Sequence, residues 1–287
     1  MRPWPWRSLL YVPAHEERFV ARAHERGADA VILDLEDGVP PAAKDEARAA
    51  LATAVPRVGR GGATVFVRLD HPWRRAWRDA EAAVAAGAAG VLLPKVSDAG
   101  AVRVMSAYLG ELESEHGRPI GATWLLPLLE DAAGLLAARE VAACPRVAAL
   151  IPGNEDLAHA FGVAAGSELF TATHAQLLLA ARAEGKGAIG TLGGATGFRD
   201  LDGFREVVAR SRRFGFDGVT CIHPAQLPVV HDVFAPEAGE IVWAMRVVAA
   251  FDAAGGGAVA VDGAMVDRPV AERARALLAR QPDGGGS

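Results

Sequence analysis

Residues 124–156, WLLPLLEDAAGLLAAREVAACPRVAALIPGNED, carry two short apolar runs, 124–129 and 147–151, separated by a stretch of helical pattern over 131–141. Runs this short and this continuously apolar read as buried parallel strands, and a helix is the usual crossover between two of them. An acid follows each run, Glu130 directly and Asp156 a few residues on. Parallel strands of one sheet end on the same side, so the two carboxylates converge at one rim. Carboxylates converging in a dry site call for a cation. Oxygen donors with no paired cysteine and no HxxxH spacing favour magnesium, with manganese as the other option, over zinc. On this segment alone the alternative is that Glu130 opens one helix and Asp156 caps the next, since acids suit helix N-termini.

The same rhythm runs through most of the chain. Short β-rich runs at 9–12, 30–35, 64–69, 90–94, 124–129, 147–151, 188–191 and 218–222 alternate with amphipathic stretches such as 16–26, 44–55, 77–86 and 201–214. Eight such alternations predict an α/β fold, a (β/α)8 TIM barrel over residues 1–230. A doubly wound sheet is the rival, but its first turn would carry a glycine-rich phosphate loop, and YVPAHEER at 11–18 is not one. With 287 residues, 51% of them hydrophobic, the chain can bury a large core. Its net charge of −5 comes from interspersed acids and bases, which leaves no basic face for nucleic acid. No apolar run is long enough to cross a membrane, and the N-terminal one is too short for a signal peptide. Cys144 and Cys221, set in or beside apolar runs, read as buried free thiols, so the expected compartment is the cytoplasm.

A barrel of this kind carries its chemistry just after the strands. The second run ends in LDLEDG, with Asp34 and Glu36 on one face and Asp37 just beyond; the third gives Arg68 and Asp70, the fourth Lys95, the eighth His223. Polar residues placed this way at six of eight strand ends, Glu130 and Asp156 included, favour a metal site over a set of helix caps. Arg68 ends an otherwise apolar strand, so its guanidinium faces a carboxylate: a substrate's, or that of Asp34 or Glu36. Lys95 either pairs with a rim carboxylate or touches substrate. His223, preceding Pro224, reads as structural.

Beyond His231 the rhythm changes. A helix over 236–254, a glycine break, the hairpin-like AVAVDGAMVDRPV and a helix over 271–280 form an extension, 231–287, ending in a disordered tail from about 281. Its stripe of Val259, Val261, Met265 and Val266 is one that a neighbouring subunit could cover.

RSLLYVP, GADAVILDLEDGV followed by Lys44 and Ala47-Arg48, VFVRL, GVLLPKV, LLEDAAG, ALIPGNEDLA, AARAEG, GFDGVTCIHPAQ and GGGAVAVDGAMVDRPV together resemble the citrate lyase β-subunit-like branch of the HpcH/HpaI aldolase superfamily. The resemblance implies a (β/α)8 barrel that binds Mg2+, with Glu130 and Asp156 as ligands and Arg68 holding the substrate carboxylate. It implies further that Asp267, in MVD where the family has MID, is an acid/base residue delivered by an adjacent subunit, and hence a homotrimer or hexamer. Departures surround the pocket: YVPAH where the family often has FVPGN, Asp70 for an asparagine, Ile189-Gly190 for an Ile-Asp pair, and the glycine-rich TLGGATGFRD. They bear on which substrate is taken more than on the metal.

The activity so implied is a Mg2+-dependent carbon–carbon lyase that cleaves or condenses a carboxylated 3-hydroxyacyl-CoA, such as citryl-, malyl- or citramalyl-CoA, through a thioester enolate. Glu36 and Asp37 would orient water at the ion, and Lys95 would touch substrate. The alternatives are a metal-dependent aldolase on free hydroxy-ketoacids, an acyl-CoA thioesterase, and a weakly active subunit of a larger complex.

Overall fold

The structure, a computed structural model, describes residues 5–194 and 198–279. Eight parallel strands are present: β1 (Ser8–Pro13), β2 (Ala30–Asp34), β3 (Thr64–Arg68), β4 (Gly90–Leu93), β5 (Trp124–Leu129), β6 (Ala149–Pro152), β7 (Gly187–Ala188) and β8 (Val219–Cys221). Their spatial order is β7-β6-β5-β4-β3-β2-β1-β8, and a parallel bridge between Ile189 and Gly218 joins the two ends. The ring therefore closes as a (β/α)8 barrel rather than opening as a doubly wound sheet. Val31, Ile32, Leu33, Phe66 and Val67 are fully buried because each strand is covered on both faces, which is why these runs are continuously apolar instead of alternating.

Around the barrel run α1 (Glu17–Ala23), α2 (Lys44–Gly59), α3 (Trp73–Ala85), α4 (Ala99–Glu115), α5 (Ala132–Leu136), α6 (Ala138–Ala142), α7 (Asn154–Phe161), α8 (Glu168–Ala183), α9 (Leu201–Phe214) and α10 (Gln226–Phe234). Three differences from the sequence reading have local causes. The helix expected over 131–141 divides at Ala137, whose ψ of 2° leaves the helical range. The third helix starts at Trp73, a turn early, because Pro72 lacks an amide donor and serves as its N-cap. β7 spans two residues, because the carbonyls of Thr191 and Gly193 accept from the Asn154 side chain instead of a strand ladder. No helix among the described residues is long and apolar enough to cross a membrane, and both cysteines are buried free thiols.

Register decides which rim groups meet. Asp34 lies opposite Arg68 across β2 and β3, and Leu129 opposite Pro152 across β5 and β6, so Glu130 and Gly153 emerge side by side.

Residues 234–279 belong to a second compact unit. It contains α11 (Ala238–Ala253), the antiparallel pair β9 (Val259–Val261) and β10 (Ala264–Val266), and α12 (Arg268–Leu278). Asp262 and Gly263 turn the hairpin with φ of 52° and 78°, the two positive values that a two-residue type I′ loop requires. Val266 sits in a core with Ala244, Val247, Phe251, Ala271 and Ala274, and Val259 and Val261 pack against it. The stripe expected to wait for a neighbour is thus mostly covered by the unit's own helices, and of its four residues only Met265 is largely exposed, at 73%. The tail expected from about 281 lies outside the described residues.

Candidate active site

The turn after β2 is wound around one carboxylate. Asp34 accepts the amides of Glu36 and Gly38, each at 2.9 Å, and takes Nε and Nη2 of Arg68 at 2.7 Å each. A Cβ at position 38 would collide with that carboxylate, so the fourth residue after Asp34 is glycine. Arg68 therefore spends one edge of its fork on the chain's own Asp34, the alternative partner in the sequence reading. Glu36, 2% exposed, lies 2.9 Å from Nη1, yet neither of its oxygens is hydrogen-bonded. Asp37 stands at the exposed edge, 3.8 Å from the same nitrogen. Burial, reinforced by the charges of Glu130 and Asp37, pushes the Glu36 carboxyl up to about 8 in spite of Arg68 and Lys95.

Beneath this turn Lys44 is buried, and its ammonium donates to the carbonyls of Leu35 (2.7 Å) and Glu36 (2.6 Å) and to Asp70 (2.9 Å). Three acceptors for three donors leave it satisfied, and they pin the Glu36 backbone against the end of β3. Asp70 is further neutralised by Arg75 at 3.1 Å. The acid that departs from the family pattern thus belongs to this supporting network.

On the opposite side, Lys95 follows β4 in the left-handed region, with φ of 53°. This conformation costs a non-glycine residue about 1 kcal/mol or more and is retained where surroundings impose it. Here it aims the Lys95 amide at Glu130 Oε2, 2.7 Å away, while the ammonium lies 3.4 Å from Asp156 and 3.7 Å from Glu36. Glu130 is buried, and its stem fills the space that a side chain at position 153 would need, which explains Gly153 in PGN. Burial, with the charge of Asp156 adding to it, pushes the Glu130 carboxyl up to about 7 against the Lys95 amide and the nearby cations. Helix capping does not explain these acids: Asp131, not Glu130, caps α5, and Asp156 lies inside the first turn of α7.

Tyr11, Asp34, Asp37, Arg68, Glu130 and Asp156 all line one cavity of about 390 Å³ at the C-terminal rim. A larger hollow, about 700 Å³, lies between α2 and α3, but alanines form much of its lining and it is the wider open of the two. Convergent polar groups, several of them buried, make the rim cavity the candidate site in spite of its smaller volume. Whether it suits a divalent ion can be judged from its donors. Among the described residues no three acidic, histidine or cysteine side chains form a closed cage. Mg2+, however, is commonly held by one or two carboxylates, its other positions going to water and substrate oxygens. Glu130 and Asp156, both lining the cavity, meet that requirement, and Glu36 nearby has two oxygens that accept no hydrogen bond.

Two other predicted residues are engaged in local contacts. Asp267 is the N-cap of α12, its Oδ1 accepting the Val270 amide at 3.3 Å. His223 accepts the Ala225 amide on Nδ1 and stacks on Phe198 with ring centroids 4.8 Å apart.

The sequence reading missed Asn154 and His174. Asn154 Nδ2 donates to the carbonyls of Thr191 (2.8 Å) and Gly193 (2.9 Å), so its Oδ1 is left to accept from His174 Nε2 at 2.9 Å. This ties the turn carrying Asp156 to the loop after β7. His174 is fully buried, and burial lowers its ring to about 4. A depressed imidazole contributes stability above its ordinary value near 6.5 that is lost as pH falls toward about 4, up to roughly 3 kcal/mol. His174→Gln, which keeps a donor for Asn154, should flatten the stability profile over that window. Denaturant unfolding of both proteins at pH 7 and pH 4.5 checks it: an equal loss in the two would contradict the assignment.

Residues 7–224 match the model of the HpcH/HpaI aldolase/citrate lyase family. The (3S)-malyl-CoA thioesterase of Cereibacter sphaeroides is 39% identical over 285 residues, 96% of this chain and 94% of that protein. The citrate lyase subunit beta of Leuconostoc mesenteroides subsp. cremoris is 35% identical, covering 95% and 92%. Among solved structures, the protein CitE from Mycobacterium tuberculosis, in complex with magnesium, acetoacetate and coenzyme A, superposes with a TM-score of 0.76 at 32% identity, covering 96% of this chain and 97% of that one.

Proposed function

This chain belongs to the HpcH/HpaI aldolase/citrate lyase family, and from that premise we propose that it cleaves the carbon–carbon bond of a carboxylated 3-hydroxyacyl-CoA of the malyl, citryl or citramalyl kind, with Mg2+ as cofactor. The observation that carries this reading is that Arg68 borders the same cavity as the carboxylate pair Glu130 and Asp156. A site for an acid and a site for a cation are thereby one site.

Glu130 and Asp156 would hold the ion, which when bound supplies Lewis-acid stabilisation of charge developing at a substrate oxygen. Arg68, oriented by its pairing with Asp34, is assigned the substrate carboxylate on its other edge, where Nη1 now lies 2.9 Å from Glu36. Lys95 keeps Glu130 in place through its amide and lends a positive charge beside Asp156. As the bond breaks, its electron pair moves to the carbon next to the thioester, and the hydroxyl proton leaves to water that Glu36 and Asp37 are assigned to order. The enolate then needs one proton. We assign its delivery to Asp267 of a neighbouring subunit in a homotrimer or hexamer, following the family resemblance.

The similarity to a thioesterase supports a second reading, in which water cleaves the thioester instead. Incubation with malyl-CoA and Mg2+ separates them: bond cleavage gives acetyl-CoA and glyoxylate, hydrolysis gives malate and free CoA. Mg2+-dependent glyoxylate formation is the expected result, and malate alone would overturn the lyase reading.

Asp267→Asn isolates the proton-transfer role, since asparagine caps a helix as well as aspartate does but cannot exchange the proton. Turnover should fall about 100- to 10,000-fold with Mg2+ affinity intact. Mixing this variant with Glu130→Gln under conditions of subunit exchange should restore activity, because some sites then pair an intact Glu130 with a neighbour's intact Asp267. No recovery, with exchange confirmed by mass, would remove Asp267 from a shared site.

A further inference from the structure

We propose that Tyr11 is a substrate-contacting residue of the rim cavity, its hydroxyl donating a hydrogen bond to the acid group that Arg68 receives. The proposal rests on the function proposed above and adds to it a residue that recognises the acid. Tyr11 lies near the C-terminal end of β1 and lines the cavity together with Arg68, Glu130 and Asp156. Its ring lies under the Arg68 guanidinium, whose Cζ is 4.9 Å from the ring centroid. That contact holds the phenol and the cation against one another and fixes the direction in which both present their polar atoms.

No described residue hydrogen-bonds the Tyr11 hydroxyl, and most groups around it are engaged, Glu36 being an exception whose oxygens accept no hydrogen bond. Asp34 accepts two amides and two guanidinium nitrogens, Glu130 accepts the Lys95 amide, and Asn154 donates to two carbonyls. Tyr11 is only partly buried, so its hydroxyl is open to the cavity, where an oxygen of whatever enters can take the place of water. Burial, with Asp34, Glu130 and Glu36 nearby, holds the phenol in its protonated form, so Tyr11 is a donor and its partner is an oxygen acceptor. An acceptor standing beside a guanidinium is an anionic one. The chemistry so defined is a 2-oxo or 2-hydroxy carboxylate, gripped by Arg68 for its charge and by Tyr11 for one particular oxygen.

Tyr11→Phe tests this while keeping the ring and its cation contact. The probe is pyruvate, titrated calorimetrically in the presence of Mg2+ into the full-length wild type and variant, with Mg2+ alone titrated in parallel and thermal midpoints recorded. The expected result is pyruvate binding weakened about 10- to 100-fold in the variant, as for loss of a hydrogen bond to a charged acceptor, with Mg2+ affinity and thermal midpoint unchanged. Equal pyruvate affinity in the two proteins would overturn the role of Tyr11 and leave the proposed function standing. A fall in thermal midpoint together with Mg2+ affinity would overturn it in favour of a structural role. Wild type that does not bind pyruvate in the presence of Mg2+ would overturn this inference, and wild type that binds no Mg2+ either would overturn the proposed function with it.

Discussion

Turnover by Glu130→Gln is expected to fall at least about a thousandfold, since the Lewis-acid contribution it removes is worth several kcal/mol and each 1.4 kcal/mol is a factor of ten. The fold should survive the change. The glutamine carbonyl oxygen can still accept the Lys95 amide, now made by Glu130 Oε2 at 2.7 Å, and the amide matches the carboxylate in shape. The sign of the stability change follows from burial. Glu130 has its carboxyl raised to about 7, so the folded, metal-free protein favours the neutral form, and the stability from that neutral form is lost as pH rises through about 7. A permanently neutral side chain should therefore leave the metal-free variant no less stable than the parent at pH 8. Steady-state assays at saturating Mg2+ and thermal unfolding at pH 8 read both halves. Activity within about tenfold of the parent would show that Glu130 holds no ion that matters to the reaction.

Arg68→Lys is expected to be nearly as damaging as Arg68→Ala, with kcat/KM reduced about 100-fold or more in each, because an ammonium offers no second edge. In the structure the guanidinium does two things at once. Its Nε and Nη2 bind Asp34 at 2.7 Å while Nη1 approaches Glu36 at 2.9 Å, and the group borders the cavity. Lysine can satisfy one of these demands. The two variants should separate in stability instead: alanine leaves two buried carboxylates unpaired, a loss of about 3 to 5 kcal/mol for broken buried pairs, and lysine restores part of it. Kinetics combined with denaturant unfolding distinguishes the two jobs. Lysine restoring most of kcat/KM would reduce Arg68 to a charge that holds Asp34 and Glu36 in place.

How much of this was legible beforehand depended on whether a residue's neighbours are set by strand order. Glu130 and Asp156 each follow a buried apolar run, and parallel strands must end together, so their convergence could be read from residues 124–156. The partner of Arg68 could only be narrowed, because Asp34 and Glu36 share a face and the choice between them is made by the Gly38 amide and the turn it closes. Lys44 was visible only as part of a resemblance. Nothing in its spacing says that a side chain at the start of α2 reaches back under the β2 turn to Asp70. The left-handed backbone at Lys95 has no mark in the sequence at all, since the residue is not glycine. His174 carried a weak signal, a histidine on the leucine and alanine face of α8, whose partner Asn154 lies 20 positions away. In the extension the apolar stripe is legible but its cover is not: periodicity tells that Val259, Val261 and Val266 pack inward, not that the cluster they pack into is built by α11 and α12 of the same chain.

The central claim, that Glu130 and Asp156 jointly hold a divalent cation in the cavity bordered by Arg68, is tested most directly by calorimetric titration of Mg2+ into the wild type, Glu130→Gln and Asp156→Asn. One ion per chain is predicted for the wild type, with affinity lowered at least about 100-fold in each variant, as expected when one of two charged ligands is lost. Unchanged Mg2+ binding in both variants would contradict it.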